Sequence, residues 1–249
     1  MPRLRDLDLD RHLADPAMKQ RFVTPMFDLI APRYDAFTRL FSYGMDRQWK
    51  RAMLKRVVKL ALRDATVLDL ACGTGDLAFA VARAMPHSRV TGLDASPQMI
   101  ALARERKPGV VGAPEFVIGD MAAILRPDNS VDVITAGYGF RNTPDHRVAL
   151  REAARILRPG GVMVTLDFYR PESALWRTLL LGYLRAAGNA VGWLWHREPV
   201  AYGYIAPSIA AFVSYRTFAT DLSTAGFEVV YIDVHLFGGV AIHVAVKHS

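Results

Sequence analysis

A single cysteine, Cys72, among 249 residues excludes a disulfide framework within the chain and any zinc site built from several thiolates. The seven histidines show neither H-x-x-x-H nor H-E-x-x-H spacing, which leaves a histidine-bound metal without support. Gly-x-Ser-x-Gly elbows and Walker loops are missing too. Acids are the scarcer charge, 24 against 31 Lys plus Arg, for a net +7 and a pI near 9.7. That surplus permits an acidic surface or a polyanionic ligand. The bases are not interleaved with aromatics, so no nucleic-acid partner is expected. No apolar run reaches the roughly 20 residues of a bilayer span. The greasiest stretch, 179–195, is preceded by Arg177, interrupted by Arg185 and Asn189, and weakened as a helix by Gly182, Gly188 and Gly192. It reads as an amphipathic segment for a headgroup region, a cover for a greasy channel, or an ordinary buried helix. Met1-Pro2-Arg3-Leu4-Arg5-Asp6 does not look like a signal peptide, so the expected compartment is the cytoplasm.

What is present is an alternation. Apolar runs at 66–70, 89–93, 115–118, 131–136 and 161–168 read as buried parallel strands, with helical patterns at 77–85, 97–106 and 146–157 between them. Such alternation predicts an α/β fold. The preceding part reads as helices over 16–33 and 46–62, a cap over residues 1–62 on a core of residues 63–249. Residues 169–214 form an insertion. Beyond it a helix at 215–225 closes on Gly226, and strands at 227–234 and 240–246, joined through Gly238-Gly239, predict an antiparallel edge.

The chemistry is concentrated in Val67-Leu68-Asp69-Leu70-Ala71-Cys72-Gly73-Thr74-Gly75-Asp76, a buried strand running through a glycine turn into a helix. Glycine permits the tight turn and lets a ligand approach the backbone. A dinucleotide fingerprint would need a third glycine. Here an acid ends the strand and only two glycines follow, which suits an amine-bearing ligand better than a diphosphate. Asp94 ends the next strand, where a carboxylate accepts hydrogen bonds from both ribose hydroxyls. Asp120 follows the third strand, in place for an adenine amino group. One strand-end Asp alone is more often a helix cap. Three in order, along the carboxyl edge of a sheet, are a binding ridge. Cys72 reads as a small packing residue.

This order, closed by Leu157-Arg158-Pro159-Gly160-Gly161, resembles the class I S-adenosylmethionine-dependent methyltransferases over residues 65–170. The resemblance implies their Rossmann-like α/β fold, a mostly parallel seven-stranded sheet with an antiparallel edge strand. It also implies S-adenosyl-L-methionine as cofactor. Asp69 with Gly73, Thr74 and Gly75 would hold the methionine part, Asp94 and Ala95 the ribose, and Asp120 with Met121 the adenine.

A narrower resemblance, to the quinone C-methyltransferases of ubiquinone and menaquinone synthesis, covers almost the whole chain. It rests on Phe27-Asp28-Leu29-Ile30-Ala31-Pro32-Arg33-Tyr34-Asp35 with Trp49-Lys50, on Gly139-Phe140-Arg141-Asn142-Thr143-Pro144-Asp145, on Tyr202-Gly203-Tyr204-Ile205-Ala206-Pro207-Ser208-Ile209, and on Ala225-Gly226-Phe227. Asp167-Phe168 departs from the usual Glu-Phe, and Phe212-Val213 lacks a proline often found there. The implied reaction is C-methylation of a polyprenylated quinol ring, demethylmenaquinol or 2-polyprenyl-6-methoxy-benzoquinol. Arg141 is then the candidate cation for the ring oxyanion, since a guanidinium stays protonated and is a poor base. The competing reading of Arg141 is a surface arginine paired with Asp145. Asn142 stands beside it, Tyr34 would close over the cofactor, and Tyr202, Tyr204 and Phe140 would meet the substrate. The partners implied are a lipophilic quinol and the inner face of a membrane, with no nucleic acid and no metal; a homo-oligomer or biosynthetic complex stays open. The alternatives are a class I methyltransferase for another small phenolic acceptor and a nonenzymatic scaffold.

Overall fold

Side chains alternate between the two faces of a strand, so a strand apolar at every position must be covered on both sides. Val67, Leu68 and Leu70 are of this kind and are all buried. In the computed structural model, which describes residues 16–34, 38, 42, 44–106, 112–196 and 203–248, these runs join one seven-stranded sheet. Its strands are β1 (Thr66–Leu70), β2 (Arg89–Asp94), β3 (Glu115–Ile118), β4 (Val131–Gly137), β5 (Leu157–Phe168), β6 (Phe227–His235) and β7 (Val240–Lys247). The order across the sheet is β3-β2-β1-β4-β5-β7-β6.

Strands β1 to β5 pair in parallel. Strand β7 runs antiparallel to both β5 and β6, so this pair forms the expected antiparallel edge, with β7 its inner strand and β6 its outer one. Burial explains the arrangement. Val240, Ala241, Ile242, His243, Val244 and Ala245 are all buried, whereas β6 is mostly half-buried or exposed. A difference concerns β5, expected to begin at Gly161. It starts at Leu157 opposite Val131, then resumes its ladder at Val162 opposite Val133. The intervening residues bulge, and Gly160 takes the left-handed turn at φ +74°.

Among the described residues eight α-helices accompany the sheet: α1 (Pro16–Ile30), α2 (Asp46–Leu60), α3 (Asp76–Ala84), α4 (Pro97–Glu105), α5 (His146–Ile156), α6 (Ala174–His196), α7 (Ile205–Ala211) and α8 (Tyr215–Thr224), with 3-10 turns at Ala31–Arg33 and Phe140–Asn142. On one face Trp49, Met53 and Val57 of α2 share a core with Val81 of α3, Ile100 of α4, and Val67, Val133, Val164 and Val244. On the other, Leu150 and Ala153 of α5 and Phe218 and Leu222 of α8 meet Leu68, Ile134 and Met163. Ser96, Asp145 and Ser214 cap α4, α5 and α8 through their side-chain oxygens. Helix α6 runs unbroken through its glycines, because Leu180 and Leu184 anchor it against Ile30, Ala206 and Ile209. Among the described residues no helix is long and apolar enough to cross a membrane.

His243 interrupts the apolar run of β7 and is completely buried. Its Nε2 lies 2.9 Å from the Tyr215 carbonyl oxygen and its Nδ1 3.3 Å from the Tyr169 hydroxyl. A neutral imidazole satisfies both, donating to the first and accepting from the second. Burial pushes its pKa down from 6.5 to about 4. Between those values the unfolded chain takes up a proton that the folded one refuses, so stability is lost as pH falls from 6.5 toward 4. Against His243→Gln, which never titrates, the wild type should lose about 3 kcal/mol of its advantage between pH 7.5 and pH 4.5. Urea unfolding of both proteins at the two pH values measures this.

Candidate functional site

The glycine turn after β1 holds its shape through left-handed backbone at Ala71, Gly73 and Gly75. Gly75, at φ +85°, has no room for a side chain: a Cβ there would lie 2.7 Å from the Phe116 ring. That glycine therefore serves the packing of β3 against α3. Gly73 differs, since a Cβ would meet only Tyr34 and Met99, at 3.9 and 4.0 Å. Its N–H donates to Asp94 Oδ2 at 2.8 Å, while the Ser96 N–H donates to Oδ1 at 2.9 Å. Burial pushes the Asp94 carboxyl up, and these backbone donors oppose the shift. The Ala122 N–H fixes Asp120 in the same manner, through Oδ1 at 2.8 Å.

These residues surround a cavity of about 690 Å³ at the carboxyl ends of β1, β2, β3 and β4. Gly73, Asp94, Ala95, Asp120 and Met121 line it, together with Tyr34, Asn142, Tyr138, and Val23, Thr24 and Phe27 of α1. Three of the expected residues, Asp69, Thr74 and Gly75, do not. Thr74 lines a separate pocket beside Pro32 and Leu102. Asp69 is buried, with Oδ1 accepting from Thr135 Oγ1 at 2.7 Å and Oδ2 lacking any partner. Burial pushes it up from 3.8 to about 7. On the cavity wall itself, Asp94 and Asp120 beside Leu93, Met99 and Met121 fit a ligand that carries hydroxyl and amino donors together with an apolar ring. S-adenosylmethionine has that character. Cys72 is buried with its thiol pushed well above the ordinary value, and its Sγ would stand 2.8 Å from a Cβ at Gly92, so it packs rather than reacts.

A second cavity, of about 580 Å³, adjoins the first and shares Phe27, Tyr34 and Tyr138 with it. Its wall is largely apolar, with Met26 and Ile30 of α1, Leu184 of α6, Phe168, Ile205 and Tyr204, and its cation is Arg141. Arg141 is buried, which overturns the reading of a surface arginine paired with Asp145. Asp145 instead caps α5 by accepting from the Arg147 N–H. The guanidinium Nη1 donates to Asp167 Oδ1 at 3.1 Å and to the Tyr138 carbonyl at 3.0 Å, and the Arg141 N–H donates to Asp167 Oδ2 at 3.2 Å. Burial pushes the Asp167 carboxyl up while Arg141 pulls against it. The Arg141 Nε is buried without a partner.

Asn142 donates through Nδ2 to the Tyr138 carbonyl at 2.9 Å and accepts from the Tyr204 hydroxyl at 3.2 Å. Phe140 does not reach either cavity. The 3-10 turn sends it into the core against Phe218, ring centroids 5.3 Å apart, while Arg141 faces the opening. Tyr202 lies outside the described residues. Tyr138 escaped the sequence reading, although glycines flank it in Gly137-Tyr138-Gly139. It sits at φ +62°, donates to Asp46 Oδ1 at 2.9 Å and stacks on Phe168, centroids 5.4 Å apart.

Residues 16–247 match the family described as the ubiE/COQ5 methyltransferase family. A demethylmenaquinone methyltransferase of Thermus thermophilus is 38% identical over 221 residues, covering 88% of this chain and 98% of that protein. A ubiquinone/menaquinone biosynthesis C-methyltransferase of Geobacter sulfurreducens is 36% identical over 209 residues, covering 83% and 80%. Among solved structures, a chain of the complex between the Haloferax volcanii Trm112 methyltransferase activator and a methyltransferase aligns with a TM-score of 0.62 at 22% identity, covering 90% of this chain and 98% of that one. An S-adenosylmethionine-dependent methyltransferase of Aquifex aeolicus aligns at 0.55 and 20% identity, covering 78% and 88%. These structural likenesses speak to the fold.

The Asp69 carboxyl yields a stability test. It ionises at 3.8 in an ordinary setting and at about 7 when folded, so its contribution is fully present below about pH 4 and lost as pH rises to about 7. Asp69→Asn keeps the neutral shape at every pH. Without ligand, the variant should match wild type near pH 4 and exceed it at pH 8 by about 4 kcal/mol, read by denaturant unfolding at both pH values.

Proposed function

Because the chain belongs to the ubiE/COQ5 methyltransferase family, whose members use S-adenosylmethionine, we propose that it methylates a ring carbon of a polyprenylated quinol, in menaquinone or ubiquinone synthesis. The observation that carries this reading is the second cavity: an apolar chamber with one buried guanidinium in its wall, sharing an aromatic partition with the cofactor cavity. Its relatives in Thermus thermophilus and Geobacter sulfurreducens, named for demethylmenaquinone and for ubiquinone/menaquinone biosynthesis, favour the same acceptor class.

When bound, S-adenosylmethionine supplies a methyl group made electrophilic by its sulfonium. Asp94 and Ala95 are assigned to its ribose, Asp120 and Met121 to its adenine, and Gly73 to its methionine end; Thr74 and Gly75 shape the turn, and Asp69 is buried off the cavity wall. The acceptor ring becomes nucleophilic at carbon when its neighbouring hydroxyl gives up a proton, which costs much at neutral pH for a phenol-like group of pKa about 10. Arg141 lowers that cost, because a preorganised buried cation stabilises the oxyanion without having to reorient. Asp167 holds the guanidinium in place, and Asn142 and Tyr204 form a hydrogen-bonded pair beside it. Tyr34 and Phe27 exclude water from the junction of the cavities. On this reading residues 1–62 are a cap and 169–214 a substrate-side insertion, since α1, α6 and α7 furnish the apolar wall.

The same reading extends to a surface. Helix α6 turns Leu175, Leu179 and Trp193 outward at 73%, 56% and 67% exposure, Phe237 stands nearby at 82% with its ring 5.4 Å from Trp176, and α6 carries arginines but no acid. A cytoplasmic protein with this face rests on the inner surface of an anionic membrane, where its acceptor dissolves. Sedimentation with vesicles at low salt should recover the protein on anionic but not on zwitterionic lipid, and Leu175→Glu with Leu179→Glu should abolish it.

The direct test is transfer of labelled methyl to short-chain demethylmenaquinol and to a 6-methoxy-benzoquinol, both kept reduced. Product from either ring is expected; none from both, in a protein that binds S-adenosylmethionine by calorimetry, overturns the quinol reading. Asp94→Ala should weaken cofactor binding about tenfold or more. Arg141→Ala alone would strand Asp167 unpaired in the interior, so the paired change Arg141→Gln with Asp167→Asn is the cleaner probe. It should leave cofactor affinity within about threefold and lower turnover at least about a hundredfold.

A further inference from the structure

One helix roofs both cavities. From α1, Val23 and Thr24 face the cofactor cavity, Met26 and Ile30 the acceptor cavity, and Phe27 both. Polar contacts tie this roof to the sheet at two places. Asp28 accepts from the Ser96 hydroxyl and the Gln98 N–H at the start of α4. Nine residues earlier, Lys19 Nζ donates to the main-chain carbonyl of Arg141 at 2.8 Å. Lys19 therefore grips the 3-10 turn that aims the guanidinium, from the element that covers the site.

The choice of a lysine here is costly. Burial and the nearby Arg141 push its pKa down from 10.5 to about 8, against the opposing pull of Asp167 and Asp145. A neutral donor would hold the carbonyl without placing a second cation next to the first. A charged donor makes a stronger bond and raises the positive potential where an oxyanion is to form.

We propose that Lys19 is a positioning residue for methyl transfer: seated with α1 over both cavities, its ammonium holds the Arg141 carbonyl and so sets the guanidinium only under a closed roof. The proposal rests on the role assigned to Arg141 above, and its test is arranged to stand apart from the identity of the acceptor. Lys19→Met removes the donor; Lys19→Arg keeps a charged one.

The first readout needs no acceptor. With each protein saturated by S-adenosylhomocysteine, amide hydrogen exchange in α1 and in residues 140–142 should be faster in Lys19→Met than in wild type and restored in Lys19→Arg, with the amides of β1 and β4 as reference. The second is turnover of whichever quinol the wild type accepts. Lys19→Met should lower kcat about tenfold with the KM for S-adenosylmethionine within about threefold, and Lys19→Arg should recover most of it. Raising the pH through about 8 removes the proton from Lys19, so the wild-type rate should fall there, and Lys19→Arg should lack that limb. Unchanged exchange in Lys19→Met, or no rescue by Lys19→Arg, overturns the proposal. If the wild type methylates neither quinol, the acceptor reading fails, and the exchange result alone decides the role of Lys19.

Discussion

The ion pair between Arg141 and Asp167 binds two neighbouring parallel strands at their carboxyl ends, and the second cavity is arranged around it. Asp167 is the next-to-last residue of β5, and Arg141 lies just past β4. The carboxylate takes both a guanidinium N–H and the arginine's own backbone N–H, so it fixes the side chain and the turn together. The same guanidinium reaches the Tyr138 carbonyl, which also receives the Asn142 amide. Remove the pair and Tyr138, Asn142 and the partition between the cavities lose their common support. A buried charge pair seldom stabilises more than a well-packed apolar substitute would, so its presence here points to geometry rather than to stability.

Charge is divided across the sheet with the same economy. The acids Asp69, Asp94 and Asp120 belong to the β1, β2 and β3 half, and the cation lies beyond β4, on the other side of the point where the strand order reverses. Ligands of open α/β sheets bind at that crevice. On the proposed reading, a cationic cofactor and an acceptor that becomes anionic meet there with matching potentials on either side. Tyr138 stands at the boundary, its hydroxyl on Asp46 and its ring on Phe168.

Much of this was legible beforehand because it is written locally. Apolar runs and the turn at Gly73 to Gly75 gave the strands of the parallel half, and Asp94 and Asp120 on the cavity wall were identifiable from their position at strand ends. What escaped was set by contacts between distant parts of the chain. The inner placement of β7 depends on whether its apolar faces find cover, which a hairpin signal does not contain. Phe140 and Arg141 are adjacent, yet a tight turn sends one into the core and the other to the cavity, so neighbours in a motif need not share a role. Lys19 and Arg141 are separated by 122 positions, and nothing around either residue announces the other. The second glycine of the turn was read as room for a ligand, whereas its partner is the Phe116 ring.

The place of β7 also bears on how the molecule is assembled. The strand that joins β5 to β6 follows both in sequence, so on a chain emerging from the ribosome with its N-terminus first, β5 presents an unpaired edge until β7 arrives. Val162 to Phe168 would then expose a row of free N–H and C=O groups on an apolar strand, the kind of edge that recruits other chains. The helices that roof the cavities precede or interrupt this sequence, whereas the sheet itself is closed last, at a place away from both cavities. Nascent chains of this topology therefore carry an open β5 edge after the strands β1 to β4 are already made.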